Sequence, residues 1–393
     1  MTTTSMSKAL LSVLCVVGAR PNFMKIAPVM RAFNQPGSGI SARLVHTGQH
    51  YDAAMKAAFF DQLGIPEPDL DLEVGSASHA VQTAEIMRRF EPELDARRPD
   101  LVLVVGDVNS TIACALVAVK KGIPVAHVEA GLRSYDRDMP EEINRVLTDQ
   151  ISELLLTTEK SARANLEREG IDPKRIHFVG NVMIDTLFAN RVRAVPPQKV
   201  LAGLENPESF LQPGTGYGLV TLHRPSNVDD PEVLKRLLET LAGISERLPL
   251  LFPVHPRTSA RIEAAGLAPL LDNNRIALLP PLSYLEMLGL MGSARVVLTD
   301  SGGIQEETTA LGVPCITLRE NTERPITVEQ GTNTVVGSDP HRIRACFEEI
   351  LATGGKRGRA PELWDGKAAE RIAAVLRQWA AERSPGNHRH ENA

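Results

Sequence analysis

The sequence lacks the features that mark several large classes of protein. Its four cysteines are scattered through apolar runs, without the CxxC or paired spacing of a zinc site or a disulfide framework. We therefore expect reduced, buried thiols and a cytoplasmic location. The sequence contains no stretch of about 18 apolar residues, so no membrane span is expected. Lys8 and the apolar run from Ala9 to Ala19 imitate a short signal peptide, but the run leads into Gly18-Ala19-Arg20-Pro21, which favours a first β-strand entering a loop.

A basic surface and a dinucleotide fingerprint are also missing. The net charge of −5 does not indicate a basic surface that could bind a polyanion, so nucleic acid is not an expected partner. No GxGxxG follows the first predicted strand, and we expect no dinucleotide cofactor. Asp136-Arg137-Asp138 matches the DxD that holds a metal in some sugar-nucleotide enzymes, but so short a match is mostly chance in an acidic chain. The sequence therefore predicts no metal.

What the chain does contain is a regular alternation of apolar runs of strand length with helical patterns. This alternation is typical of parallel βαβ units and predicts doubly wound α/β domains. Five of the runs end at a polar residue, namely Arg20, Asp107, Glu129, His223 and His255. Because open α/β sheets bind ligands beyond the carboxyl ends of their strands, we expect these side chains to converge on a common cleft.

The length of the chain and a repeated sequence pattern predict two domains. A chain of 393 residues exceeds the size at which one hydrophobic core keeps growing. The pattern from Asp107 to Glu129 resembles that from Asp300 to Glu320, which implies two similar halves, and the segment from Arg191 to Gly218 is rich in proline and glycine. We predict domains at residues 8–195 and 215–365, a last amphipathic helix at 366–383 and a flexible tail at 384–393.

The segment from Val296 to Glu307 predicts an anion site. A short apolar strand runs into Ser301-Gly302-Gly303 and then directly into a helix. The glycines let backbone approach a ligand closely, and the start of the helix offers N–H groups without intrahelical partners. Glu306 or Glu307 could accept hydrogen bonds from ribose hydroxyls, so the segment indicates a nucleoside diphosphate. A capped helix after a buried strand is the simpler alternative.

Carboxylates gather at the predicted strand ends of the first half. Asp107 and Glu129 end neighbouring strands, and Glu141 and Glu142 follow Pro140 at the start of a helix. Crowding and burial raise the pKa of some members of such a group, which suits general acid and base catalysis. Alternatively, the two glutamates merely favour the helix dipole and Asp107 merely caps a helix. The apolar positions predicted for this helix are Ile143, Val146, Leu147, Ile151 and Leu154.

Cations are available to the same cleft. Arg20 and Lys25 follow the first strand, His223 and Arg224 open the second half, and Arg324 follows later. These side chains could balance the charge of a diphosphate leaving group.

Nine segments of the sequence together resemble one family. They are GARPNFMKIAPV, HTGQHYD, VGDVNST, HVEAGLRS, MPEEINR, GNVMIDT, TLHRPSN, LTDSGGIQEE and ENTERPITVEQGT. They resemble the non-hydrolysing UDP-N-acetylglucosamine 2-epimerases, over about residues 10 to 380. The resemblance implies an α/β chain of two Rossmann-like, doubly wound domains facing a cleft, as in the B-type glycosyltransferases, with the last helix crossing back to the first domain. It also implies a cytoplasmic homodimer that supplies UDP-N-acetylmannosamine to polysaccharide biosynthesis.

The resemblance also implies a mechanism without a cofactor, in which UDP is eliminated to leave 2-acetamidoglucal and is then added back. The roles it assigns are acid/base catalysis for Asp107, Glu129 and Glu141, stabilisation of the leaving diphosphate for His223 and Arg20, phosphate binding for Ser301, Gly302 and Gly303, ribose binding for Glu307, and further substrate binding for Lys25 and Arg324.

The chain departs from many bacterial members in two places. Those members read HRRE where this chain has His223-Arg224-Pro225-Ser226, and QHR where it has Gln49-His50-Tyr51. Relatives that act on UDP-2,3-diacetamido-2,3-dideoxy-glucuronate share the aromatic residue and Asp after HTGQH, so this uronate is the alternative substrate. A UDP-sugar-dependent glycosyltransferase of the same fold and a non-catalytic UDP-sugar sensor are the alternatives in function.

Overall fold

The computed structural model describes residues 10–48, 60, 62–212 and 214–383. Internal contacts divide the chain into two units, one formed by the residues up to Thr186 and from Glu362 onward, the other by Leu187–Pro361. The proline- and glycine-rich segment from Arg191 to Gly218 is grouped with the second unit, where the Val195 amide donates to the Leu285 carbonyl at 3.0 Å. The domain limits drawn from the sequence, at 8–195 and 215–365, stay predictions.

The described part of the first unit contains a parallel sheet in the order β3-β2-β1-β4-β5-β6-β7. Its strands are β1 (Leu11–Val17), β2 (Ile40–His46), β3 (Leu70–Asp71), β4 (Leu101–Val105), β5 (Val125–Ala130), β6 (Leu154–Thr157) and β7 (Ile176–Phe178). Its helices are α1 (Arg20–Phe33), α2 (His79–Ala96), α3 (Asn109–Lys120), α4 (Pro140–Ile151), α5 (Lys160–Arg168) and α6 (Val182–Arg191), the last of which runs on into the second unit.

The first sheet forms because its central strands are apolar along their whole length. All residues of β4 are buried, as expected for a parallel strand covered by helices on both faces. Val102 and Val104 of this strand pack with Ile86 and Phe90 of α2 and with Ala113 and Val117 of α3. The strand predicted in the apolar run that ends at Ala19 is β1.

The described part of the second unit repeats this topology, with a sheet in the order β10-β9-β8-β11-β12-β13. Its strands are β8 (Gly218–Thr221), β9 (Leu250–Pro253), β10 (Ile276–Leu279), β11 (Val296–Thr299), β12 (Cys315–Thr317) and β13 (Asn333–Val335). Its helices are α7 (Pro197–Val200), α8 (Pro225–Val228), α9 (Pro231–Ser245), α10 (Pro256–Ala264), α11 (Tyr284–Ser293), α12 (Gly302–Leu311), α13 (Pro325–Glu329) and α14 (Pro340–Thr353). Two doubly wound α/β domains are therefore confirmed.

Two helix starts in the second unit show how sequence sets these boundaries. The carboxylate of Asp230 accepts a hydrogen bond from the Glu232 amide at 2.8 Å, and that of Asp339 accepts from the His341 amide at 2.7 Å. A proline follows each aspartate at the first helical position, where its missing N–H costs nothing.

The last helix, α15 (Ala368–Arg383), packs within the first unit. Its first amides, from Ala368 and Ala369, donate to the Asp185 carboxylate at 3.1 and 2.7 Å. This helix was predicted to be amphipathic, and two apolar residues one turn apart on it, Ile372 and Leu376, are buried. The tail predicted at 384–393 lies outside the described residues. None of the described helices combines the length and the apolar character needed to cross a bilayer.

Candidate active site

Asp107 follows β4 and is held by an ion pair. Its Oδ2 lies 2.5 Å from Nη2 of Arg145, and the Asp107 side chain keeps 23% of its surface exposed. Nη1 of the same arginine lies 2.7 Å from Oε2 of Glu142. Arg145 was not predicted from the sequence, although its position one helical turn after Glu141 was a usable signal.

Glu129 lies at the carboxyl end of β5, one residue before the last residue of the strand, so it does end a strand that neighbours β4. The pairing of β5 with β6 shifts register between Val128 and Ala130, and Glu129 has a positive φ of 76°. A side chain in this region costs about 1–3 kcal/mol, so surrounding contacts must hold it there. One such contact is the hydrogen-bonded ion pair between Lys25 and the Glu129 carboxylate, both of them buried.

Gly106 makes room for this buried pair. A Cβ at this glycine, which has a φ of 68°, would lie 2.9 Å from Nζ of Lys25 and 3.5 Å from Oε2 of Glu129. The residue next to Asp107 is therefore packed against the Glu129 carboxylate. The structure thus brings these two predicted carboxylates to neighbouring positions at the carboxyl edge of the sheet.

The two glutamates at the start of α4 differ in their surroundings. Glu142 is buried and accepts hydrogen bonds from the amides of Ser134 and Tyr135 at 3.0 and 2.9 Å. Glu141 is half-buried, and its side chain makes no hydrogen bond or ion pair with the described residues. Glu142 therefore shapes the loop before α4, while Glu141 is the carboxylate that a ligand could engage.

The buried face of α4 is polar, which corrects the expectation of an apolar one. Ile143 and Leu147 are 43% and 50% exposed. Leu154 lies in β6 and not in this helix. The α4 side chains that face inward are Glu142, Asn144, Arg145, Thr148 and Asp149. Polar residues are found there because Glu142, Arg145 and Asp149 form buried ion pairs.

The loop after β1 is fixed by Asn22, whose role the sequence did not reveal. Its Oδ1 accepts from the amides of Gly18 and Ala19, and its Nδ2 donates to the Val105 carbonyl at 2.9 Å. Arg20 opens α1, but its side chain lies outside the described part of the structure. Its predicted role in binding the diphosphate stays a prediction.

In the second unit, His223 follows β8 and pairs with Asp300, which follows β11. Nδ1 of His223 lies 2.8 Å from Oδ1 of Asp300, and the imidazole is 39% exposed whereas the carboxylate is fully buried. Burial alone would raise the pKa of Asp300, but the hydrogen bond and charge of His223 and the Arg224 amide hold it below its usual value. An ionised, buried carboxylate thus orients a solvent-accessible imidazole. This partner of His223 was missed from the sequence.

The predicted strand, Ser-Gly-Gly turn and helix are confirmed. Ser301 precedes α12, and Gly302 and Gly303 form its first turn, where amides lack intrahelical partners. A Cβ on Gly302 would lie 2.5 Å from Oε1 of Glu323, so a larger residue there would force the Glu323 carboxylate to move. Phosphate binding at this turn stays a prediction.

The other predicted nucleotide ligands are buried in pairs. Nε of Arg324 lies 2.8 Å from Oε1 of Glu306, and the Tyr284 hydroxyl donates to Oε1 of Glu307 at 2.9 Å. The pKa of Glu307 is raised to about 7, chiefly by burial. The Tyr284 hydrogen bond opposes this shift, and the charge of Glu306 adds to it.

The DxD match forms part of a turn. Oδ1 of Asp136 accepts from the amide of Asp138 at 3.1 Å. Within the described ranges, no group of three or more His, Cys, Asp or Glu side chains is arranged to hold a metal ion.

Comparisons with known proteins agree on one family. The UDP-N-acetylglucosamine 2-epimerase family matches residues 34–377. A UDP-N-acetylglucosamine 2-epimerase of Methanococcus maripaludis is 43% identical over 339 residues, which are 86% of this chain and 90% of that protein. The UDP-2,3-diacetamido-2,3-dideoxy-D-glucuronate 2-epimerase of Pseudomonas aeruginosa is 41% identical over 371 residues, 93% of this chain and 99% of that protein.

A solved structure agrees with this assignment. The crystal structure of Methanocaldococcus jannaschii UDP-GlcNAc 2-epimerase, in complex with UDP-GlcNAc and UDP, matches with a TM-score of 0.82 and 42% identity, over 93% of this chain and 99% of that one. The two parallel α/β domains therefore have the fold of these B-type glycosyltransferase-like enzymes. The chain belongs to the UDP-N-acetylglucosamine 2-epimerase family.

Proposed function

We propose that this chain interconverts UDP-N-acetylglucosamine and UDP-N-acetylmannosamine by inverting carbon 2 of the sugar. The observation that carries the proposal is the set of carboxylates in the first unit. Asp107 is paired with Arg145 and Glu129 with Lys25, while Glu141 makes no ion pair with the described residues. Inversion moves one proton off carbon 2 and another onto its opposite face, which calls for two groups able to exchange protons.

Elimination provides a route that needs no carbonyl next to carbon 2. A base takes the C2 proton, the C–H electrons form the C1–C2 double bond, and the bond from C1 to the diphosphate breaks. The products are 2-acetamidoglucal and UDP. Return of UDP to C1, with a proton delivered to the other face of C2, completes the inversion. Asp107, Glu129 and Glu141 are the proposed acid and base groups, and Lys25 is a proposed substrate ligand.

The second unit provides the proposed binding groups for UDP. The amides of Gly302 and Gly303 and the Ser301 hydroxyl would hold a phosphate at the positive end of the α12 dipole. His223 would donate to the departing diphosphate through Nε2, because Asp300 occupies its Nδ1. Arg20 and Arg324 are further proposed ligands of the substrate.

Glu307 is the proposed ribose ligand. It is buried beside Tyr284 and follows the glycine turn within the first two turns of α12. A carboxylate at this place can accept hydrogen bonds from two vicinal hydroxyls.

A diacetamido-uronate is the second candidate substrate. It is supported by the Pseudomonas relative, which is nearly as similar to this chain as the N-acetylglucosamine epimerase of Methanococcus is, at 41% against 43% identity. Supplying each UDP-sugar separately and comparing kcat/KM decides between them. The preferred substrate should show the higher value by at least about tenfold, a difference of about 1.4 kcal/mol in transition-state binding.

The rival functions differ in what happens at carbon 2. A glycosyltransferase would transfer the sugar and a sensor would leave it unchanged, and neither exchanges the C2 proton with solvent. Proton NMR of the reaction in heavy water therefore tests the proposal. Free N-acetylmannosamine together with UDP as the main products would instead indicate a hydrolysing epimerase.

We also propose a cytoplasmic homodimer that serves polysaccharide biosynthesis. Two large apolar side chains on one face of α4, Ile143 and Leu147, are 43% and 50% exposed, which supports a further partner surface in the first unit. Sedimentation equilibrium of the purified chain should give twice the mass of 42.7 kDa, and the monomer mass at micromolar concentration would contradict the dimer.

A further inference from the structure

A fully buried ion network lies behind the carboxylates of the first unit. Nδ1 of His127 lies 2.7 Å from Oδ1 of Asp149, and Nε2 lies 2.8 Å from the Gly106 carbonyl. Oδ2 of the same aspartate lies 2.7 Å from Nη1 of Arg133 and accepts the Gly131 amide at 3.0 Å. The side chains of His127 and Asp149 have no exposed surface.

The geometry defines the charge of this network. A carbonyl can only accept, so Nε2 of His127 carries a proton that it donates to Gly106. Burial alone would raise the pKa of Asp149, but the charges and hydrogen bonds of His127 and Arg133 hold it below its usual value. Nδ1 of His127 therefore faces an ionised carboxylate, and the two ring nitrogens lie against Asp149 and Gly106.

Such a network is poorly explained as a source of stability. Moving the guanidinium of Arg133 and the carboxylate of Asp149 out of water costs several kcal/mol for each ion, and well-packed apolar side chains often replace buried ion pairs without loss. A histidine in the middle of β5, a strand whose residues are all buried, is therefore costly unless its position matters.

The position does matter, because the network joins the three elements that carry the proposed acid and base groups. Gly106 precedes Asp107 at the end of β4, and His127 lies two residues before Glu129 on β5. Asp149 lies eight residues after Glu141 on α4, so the two share one helix face with Arg145 between them. One imidazole thus links β4, β5 and α4.

We propose that His127 and Asp149 are positioning residues that hold Asp107, Glu129 and Glu141 in their mutual geometry. The inference rests on the proposed function for the roles of those three groups. The link also fixes both sides of the strained residue: His127 precedes Glu129, and Gly131, which follows it, donates to Asp149. The positive φ of Glu129 is thereby held without any contact from His127 or Asp149 to substrate.

The test compares Asp149→Asn with a matched control, Asp185→Asn. The first substitution keeps the size of the side chain but removes its charge and one acceptor. Asp185 is also a buried carboxylate of the first unit and also accepts backbone amides, but from α15. We expect Asp149→Asn to lower kcat at least about tenfold, because sub-ångström displacement of reacting groups is costly. KM and the calorimetric Kd for UDP should stay within about twofold.

The control separates positioning from general destabilisation. Asp185→Asn should lower Tm and leave kcat within about twofold. The proposal is overturned if Asp149→Asn keeps wild-type kcat, or if both variants lose kcat in proportion to their loss of Tm. If Asp149→Asn does not fold, His127→Gln, which can reach only one of the two acceptors, must give the same loss of kcat at unchanged UDP affinity.

Amide hydrogen exchange tests the link between β4, β5 and α4 without a measurement of turnover. Peptides covering residues 104–110 and 128–134 should exchange at least about tenfold faster in Asp149→Asn and unchanged in Asp185→Asn. Unaltered exchange in Asp149→Asn would overturn the link even if the wild-type enzyme acts on another sugar. Absence of C2 exchange in the wild type would instead overturn the proposed function alone.

Discussion

The Tyr284 hydroxyl donates a 2.9 Å hydrogen bond to Oε1 of Glu307, and both side chains are buried in the second unit. Burial raises the pKa of Glu307 to about 7, against 4.5 for an ordinary glutamate, although the bond from Tyr284 opposes this shift. The proposed ribose ligand therefore changes charge close to neutral pH.

This shift predicts how stability depends on pH. Between pH 4.5 and about 7 native Glu307 keeps a proton that the unfolded chain has lost. The free energy of unfolding should therefore fall as pH rises through this window, by about 3 kcal/mol from this group. Glu307→Gln removes the effect. Urea unfolding of both proteins at pH 5 and pH 8 should show the variant losing less stability than the wild type, and equal losses would contradict the shift.

The carboxylate variants should lose turnover and keep the nucleotide. Asp107→Asn, Glu129→Gln and Glu141→Gln should each lower kcat by roughly 10²-fold or more, the scale for losing a general acid or base. Calorimetric titration with UDP should give nearly wild-type affinity, because the proposed UDP ligands lie mostly in the second unit. Glu167→Gln, an exposed pair with Arg163, is the control and should change neither quantity. Loss of UDP binding together with activity would make the three carboxylates structural.

Substitutions of the proposed UDP ligands should have the opposite effect and lower the affinity for UDP. Ser301→Ala, Glu307→Gln and Arg20→Ala should weaken UDP itself. Gly302→Ala should do so as well, because its Cβ would meet the Glu323 carboxylate at 2.5 Å. The matched control is Gly292→Ala in α11, where an added Cβ meets no atom within 4 Å. Wild-type UDP affinity in all four test variants would remove the proposed site from α12.

The sequence predicted the architecture because that depends on repeated local signals. Apolar strands and the Ser-Gly-Gly turn at the start of α12 each have a short-range cause, and each is confirmed. The buried polar face of α4 was not predictable in this way. Hydrophobic periodicity assumes that apolar side chains face inward, whereas Arg145 faces inward to meet Asp107, which is distant in sequence.

The same limit explains the missed partners at the site. Asp300 pairs with His223 from a neighbouring strand, and Asp149 reaches His127 from a helix, so neither pair has a local signature. The strand pattern also gave no sign that β5 continues through Glu129, because the bulge there depends on contacts with other elements.

Regulation should differ from that of many bacterial relatives. Pro225 is the first residue of α8 and stands where the HRRE motif has its second arginine, and Tyr51 of the other departing loop lies outside the described residues. The regulation in question is the binding of a second UDP-sugar molecule, whose diphosphate the second arginine of HRRE could hold. Proline offers that diphosphate neither a charge nor an N–H. UDP-N-acetylmannosamine alone should therefore be converted without a lag, and the rate should be hyperbolic in substrate. A lag abolished by a trace of UDP-N-acetylglucosamine would show a persisting second site.

In the proposed reaction, carbon 2 loses its proton to the enzyme and regains one from solvent. Proton NMR of the enzyme with UDP-N-acetylglucosamine in heavy water, with no added cofactor, follows that carbon directly. We expect the C2 proton signal to disappear as deuterium enters both epimers at C2. Epimerisation with retention of the C2 proton, or turnover that requires added nicotinamide, would contradict it.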